Sequence, residues 1–228
     1  MPDQHSTLRA QRRADTQRTI QAHAVRLFTE RGYDATTVTD VAEAAGVSPM
    51  TVYRHFPTKE DLVLADQNGR LVAERIAASS AALPLVRRIG TALIDSAATL
   101  TDGGPGNDPT ANERFLLARL RLMISTPALR ARHLDNHYAL QQAIVDALGG
   151  DTTDPDAVFH TRAAAGACLA ALHTALVRWA EDDGRTALPD LIAKALAAAF
   201  GDDITAAGSR STVCPPCGSA SSPPLPAP

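Results

Sequence analysis

The sequence predicts an all-α protein: an N-terminal three-helix head followed by a larger helical bundle. Three observations carry that expectation. Alanine is abundant among the 45% hydrophobic residues, and alanine loses least on entering a helix. Aromatic residues make up only 4%, which argues against a sandwich or barrel of aromatic-rich strands. Apolar residues recur at helical spacing, as at Ile20, Ala24, Leu27 and Phe28.

The elements follow in order. Residues 1–14 read as a disordered basic arm carrying Arg9, Arg12 and Arg13. A first helix starts near Asp15 and stops at Gly32, with Tyr33 packing its end. Thr37 with Asp40 three positions on signals the cap of a second helix over 38–45, which Gly46 ends. Ser48 followed by Pro49 is a cap plus first-turn proline and opens a third helix ending near Phe56. Thr58 caps a fourth helix expected to continue to about residue 80. Two short helices joined by a glycine turn, after a first packing helix, are the layout of a helix-turn-helix.

Beyond it the pattern predicts longer helices over 85–100, 111–124, 128–148, 155–180 and 188–200. Gly103-Gly104-Pro105-Gly106 makes a loop, Thr126-Pro127 and Asp154-Pro155 make caps, and Gly149-Gly150 and Gly184 make stops. Residues 202–228 read as a disordered Pro/Ser-rich tail. The expected domains are therefore 1–14, 15–58, 59–201 and 202–228.

Several classes fall away. The N-terminus is polar and Arg-bearing, unlike a signal peptide or an anchor. The stretch 163–177 is mostly alanine, contains His173, and falls short of a bilayer span. Cys168, Cys214 and Cys217 cannot make a disulfide framework and are expected as reduced thiols. The expected location is the cytosol. No GxSxG, Walker loop or dinucleotide fingerprint is present, so the expectation is not an enzyme, with no cofactor. His133 and His137 share a helix face but lack a third ligand at diagnostic spacing, so no metal is expected and a surface pair or pocket wall is the better reading. Cys214-Pro-Pro-Cys217 is a lone CxxC in the tail, and the proline run after it reads as solvated chain.

The segment from Thr37 to Asp61 is the most informative. Val38, Val41, Ala42, Ala45, Val47, Val52 and Phe56 can pack inward, leaving Pro49, Met50, Thr51, Tyr53, Arg54 and His55 outward on two turns of helix. A recognition helix needs that combination of a rigid inner face and an outer face of hydroxyl, aromatic and cationic groups. With LFTERGYDATTV, DVAEAAGVS, TVYRHF and PTKEDL, the run from Arg18 through Leu62 resembles the N-terminal domain of TetR-family transcriptional regulators.

That resemblance implies a homodimer with a DNA-binding head, a fourth connecting helix and a helical body for ligand binding and dimerisation. It implies that Thr37 touches a phosphate through its hydroxyl and backbone N–H, and that Thr39 reads a base edge. Ser48, Pro49, Met50 and Thr51 match the major-groove readers, while Tyr53 and His55 match contacts to the DNA backbone. Arg18 and Arg54 join this set, and Lys59 matches the phosphate-pairing lysine of the fourth helix. Pro49 and Met50 depart from a typical polar pair, suggesting contact with thymine methyls.

The body, with ARLRLMISTPALRARH, resembles the mycofactocin-regulator branch of that family, whose ligands are acyl-CoA-like. Candidate ligand residues are Leu116, Arg119, Leu120, Met123, His137, Tyr138 and His173, with Arg121 and Arg132 able to receive an anionic headgroup. The last two helices are implied as the dimer interface. The expected function is a ligand-responsive DNA-binding regulator, a repressor released from its operator by a small hydrophobic or acyl-CoA-like effector. The alternatives are a helical acyl-ligand carrier or enzyme, and a ligand-insensitive DNA-binding protein. Net charge is −3, yet residues 1–60 hold eight basic against seven acidic groups, so the acidic surplus lies in body and tail. DNA affinity should therefore rest on a few placed contacts.

Overall fold

The computed structural model describes residues 4–64, 68–102, 109–149 and 154–201. Within them the chain is all α. The head comprises α1 (Gln4–Arg31), α2 (Val38–Ala44) and α3 (Pro49–His55), followed by the short α4 (Asp61–Leu64). The body comprises α5 (Asn68–Ala78), α6 (Leu85–Thr101), α7 (Pro109–Ser125), α8 (Pro127–Ala147), α9 (Pro155–Glu181) and α10 (Leu188–Phe200).

Local chemistry explains the head. Thr37 and Asp40 form a reciprocal capping box: the Thr37 backbone N–H donates to Asp40 Oδ2 at 2.7 Å, and the Asp40 N–H donates to Thr37 Oγ1 at 3.1 Å. Gly46 takes φ 67°, a conformation that a side chain would strain, and so turns the chain from α2 into α3. Ser48 caps α3 by accepting the Thr51 N–H at 3.1 Å, with Pro49 in the first turn. Ile20, Ala24, Leu27 and Phe28 of α1 meet Val41, Val52 and Phe56 in one core, with the Tyr33 ring 5.0 Å from that of Phe28.

Two differences from the sequence expectation concern α1 and the connection to the body. The arm expected over 1–14 is helical from Gln4, continuous with α1, because neither Gly nor Pro intervenes before Gly32 and the residues are good helix formers. The fourth helix expected to reach residue 80 is described as α4 and α5, residues 65–67 lying outside the described set. The expectations for the 103–106 loop, Gly150, the 202–228 tail and its two cysteines likewise lie outside the described residues.

The head core does not end at the 58/59 junction. Leu62, Val63 and Leu64 of α4 belong to it, as do Leu122 and Met123 of α7 and Leu129 of α8. The second core joins α5, α6, α8, α9 and α10 through Ile76, Ile89, Leu93, Ile144, Leu169, Trp179 and Ile192. A Cβ on Gly166 would come 3.0 Å from the amide nitrogen of Gln141, whose side chain crosses from α8 to donate to the Arg162 carbonyl of α9 at 2.9 Å. Of the expected caps in the body, Asp154 accepts the Asp156 N–H, whereas the Thr126 side chain makes no cap bond and Pro127 alone shapes that start.

α9 needs a correction. The reading of 163–177 as too short for a bilayer considered only part of a 27-residue helix, which is long and apolar enough to cross a membrane by length and composition. Ala165, Cys168, Leu169, Ala175 and Trp179 are instead buried in the bundle, the pattern of a core helix. Burial pushes the Cys168 thiol up to about 12, far from the thiolate range.

Candidate functional site

The outward surface of the head is built on α3. Val52 and Phe56 anchor the helix inward, at 0% and 2% exposure, and Met50 and Tyr53 stand outward at 75% and 49%. Pro49 and Arg54 are also exposed, so four side chains of different chemistry project from two turns. The Ser48 and Thr51 hydroxyls bond each other at 2.9 Å at the helix start. On α2, Thr39 is exposed beside this face.

Three expected DNA contacts are engaged within the protein. The N–H and hydroxyl of Thr37 both go to Asp40 Oδ2, and these bonds hold the Asp40 carboxyl below the usual carboxylate range. Lys59 turns towards the head core: its ammonium donates to the Tyr33 carbonyl at 2.5 Å and lies 4.1 Å from the Tyr33 ring centroid. It braces the α1–α4 corner. Arg18 pairs with Asp15 at 2.6 Å on the exposed side of α1. Arg12 and Arg13, read from the sequence only as part of a basic arm, line a cleft with Thr16, Arg54 and His55.

The body encloses a cavity of about 460 Å³, within the size range of small-molecule sites. Leu116, Arg119, Leu120, Met123 and His137 line it as expected. Tyr138 does not: it is 73% exposed, because one residue along a helix rotates the side chain about 100° away from His137. Leu93 and Leu100 from α6, and Leu172 and Trp179 from α9, complete the apolar wall. The signal for them was their helical periodicity, which marks inward faces without separating a cavity wall from a filled core. The buried Trp179 indole N–H has no hydrogen-bond partner among the described residues.

The polar end of the cavity lies against α4. Asp61, only 7% exposed, lines it. One carboxylate oxygen accepts the Thr58 N–H at 3.1 Å, and the other accepts from Arg132 of α8 at 3.1 Å. Arg119 of α7 donates to the Val63 carbonyl at 2.6 Å. Two body arginines thus hold the short helix that follows the head. Arg121, expected at the same edge, pairs instead with Asp183.

His133 and His137 prove to be part of a larger group. Their ring centroids are 5.3 Å apart, and His173 of α9 joins them, with Nδ1 3.3 Å from His133 Nε2. His133 and His137 line the cavity, and His173 adjoins it through His133. Burial, then the neighbouring imidazoles, pushes His133 down to about 4 and lowers His137 as well. Among the described residues no group of three or more His, Cys, Asp or Glu is arranged to hold a metal ion.

Comparison with known proteins ties both regions together. Residues 20–65 match the family described as bacterial regulatory proteins, tetR family, and residues 104–200 match the MftR C-terminal domain. The chain belongs to the TetR family of transcriptional regulators. The putative mycofactocin biosynthesis transcriptional regulator MftR of Mycobacterium tuberculosis is 26% identical over 208 residues, covering 90% of this chain and 96% of that one. The transcriptional repressor KstR2 of Rhodococcus jostii is 52% identical over 40 residues, 18% of this chain. This TetR-family chain spans about a fifth of KstR2, through the head, in that match. Among solved structures, Thermus thermophilus FadR in complex with lauroyl-CoA aligns over 87% of this chain and 98% of its own, with 21% identity and a TM-score of 0.48. The tetR-family match falls on the helix-turn-helix head, and the MftR C-terminal match on the helical body that holds the cavity.

Proposed function

We propose that this regulator is a homodimeric repressor, acting in the cytosol, that leaves its operator when an apolar or acyl-CoA-like effector enters the body cavity. The observation that carries the reading is the connection at α4: Asp61 and Val63 line the cavity and are held by Arg132 and Arg119. An effector that displaces either arginine changes the position of α4, and with it the head. The leucine-rich wall suits an acyl chain, and the polar end at α4 suits a headgroup. Two heads must reach successive major grooves about 34–36 Å apart, so a small shift of α4 puts them out of register. The outward face of α9, with Ala163, Ala167, Ala170 and Thr174 exposed, is small enough for the close helix pairing that a dimer requires. In this reading the cavity binds a signal and carries out no chemistry.

The test is a gel shift with the DNA upstream of the protein's own coding sequence, repeated with decanoyl-CoA, free decanoate and coenzyme A. Dimer-sized, sequence-specific binding that decanoyl-CoA weakens supports the reading. Binding without sequence preference overturns the regulator assignment. Specific binding that none of the three ligands alters overturns the effector class alone.

A further inference from the structure

A second cationic feature lies beside α3. Arg12, Arg13 and Thr16 of α1 and Arg54 and His55 of α3 enclose a cleft of about 300 Å³. The lining residues bring three guanidinium groups and an imidazole together with no carboxylate. Two other arginines of α1 are paired one turn away, Arg18 with Asp15 and Arg26 with Glu30. Among the described residues no ion pair engages Arg12, Arg13 or Arg54, and Asp15, one turn on from Arg12, is taken by Arg18. The crowding acts on His55, whose protonation is disfavoured first by burial and then by Arg13 and Arg54. Its Nδ1 is buried without a hydrogen-bond partner among the described residues. Like charges gathered in this way repel one another, and an anion between them removes the cost.

The position of the cleft identifies the anion. Met50, Tyr53 and Arg54 are spaced i, i+3, i+4 and share one face of α3, so the cleft opens at the edge of the base-reading surface. A phosphodiester flanking the groove that α3 enters would lie there. Arginine forks match phosphate oxygens two at a time, and three from two helices can grip one or two phosphates.

We propose that Arg12, Arg13 and Arg54 form a phosphate-binding cleft that clamps the DNA backbone beside the major groove read by α3. This rests on the DNA-binding reading and gives the N-terminal part of α1 a role in it.

The experiment is a salt titration of duplex binding by fluorescence anisotropy, using full-length wild type, R12Q/R13Q, R12K/R13K and Y53A. The probes are the duplex from upstream of the coding sequence and a scrambled duplex of equal length. Each lost phosphate contact lowers the slope of log affinity against log salt by about 0.9. For a dimer losing one or two phosphates per head, R12Q/R13Q should show a slope shallower by about two to four. Both duplexes should weaken alike, because phosphate contacts carry no sequence information. R12K/R13K should retain most of the slope, which separates a lost charge from a misfolded head. An unchanged slope in R12Q/R13Q, with Y53A weakened, overturns the clamp and leaves DNA binding standing. If inorganic phosphate raises the melting temperature of wild type but not of R12Q/R13Q while the DNA slope is unchanged, the cleft is a free-phosphate site and the clamp is overturned. If wild type binds neither duplex, the clamp and the DNA reading fall together.

Discussion

His133, His137 and His173 show how packing sets the chemistry of single residues. Folded His133 titrates at about 4, below its ordinary value of 6.5, so the folded chain binds fewer protons than the unfolded chain between those two values. The stability associated with the neutral imidazole is therefore complete above about pH 6.5 and is lost as pH falls towards 4. His133→Gln should flatten the curve of melting temperature against pH across that window. A curve identical to wild type would mean that other groups set the acid sensitivity. The His133–His137 pair was legible from its four-residue spacing, whereas His173 lies forty residues on and joins only because α8 packs on α9. Tyr138 shows the opposite failure: it stands in the candidate ligand set beside His137, and helix geometry turns it to solvent.

Among the elements, α3 divides its labour cleanly between its two faces. Phe56→Ala should cost about 3–5 kcal/mol, because it empties a fully buried site, and the head should lose its cooperative melt. Tyr53→Ala changes an exposed group and should shift stability by less than about 0.5 kcal/mol while weakening operator binding. Denaturant melts together with anisotropy titrations check the pair, and equal destabilisation by both would show that Tyr53 belongs to the core. Caps and glycines made α2 and α3 readable to within a residue, because a capping box, Gly46 and Ser48-Pro49 act locally. The start of α1 was not readable in the same way. Clustered arginines resemble a flexible arm in composition, yet their helix propensity is high and nothing breaks the chain before Gly32. The inward turn of Lys59 also depends on a tertiary partner, Tyr33, that lies 26 residues away.

Across the whole molecule, the Asp61–Arg132 bridge joins the two functional regions. Arg132→Met removes the partner of a buried carboxylate and should cost roughly 1–3 kcal/mol. It should also shrink the ratio of operator Kd with and without effector, for which allosteric coupling of ordinary strength gives about 5–150-fold. A ratio equal to wild type would place the coupling on another route. The fold class and the order of the helices were legible from periodicity and breakers, but this bridge was not, since its partners are 71 residues apart and stand in two separate motifs, PTKEDL and ARLRLMISTPALRARH, with no local signal that pairs them.

The core under α1 also bears on how the molecule can be taken apart. Leu122, Met123 and Leu129 complete that core from the far side of the chain, and Leu62, Val63 and Leu64 fill its middle. A fragment cut after α3 would carry Phe28 and Leu27 with part of their packing removed. Transplanting the reading head onto a different sensor therefore requires grafting the α7–α8 corner with it, so the smallest exchangeable module is discontinuous in sequence.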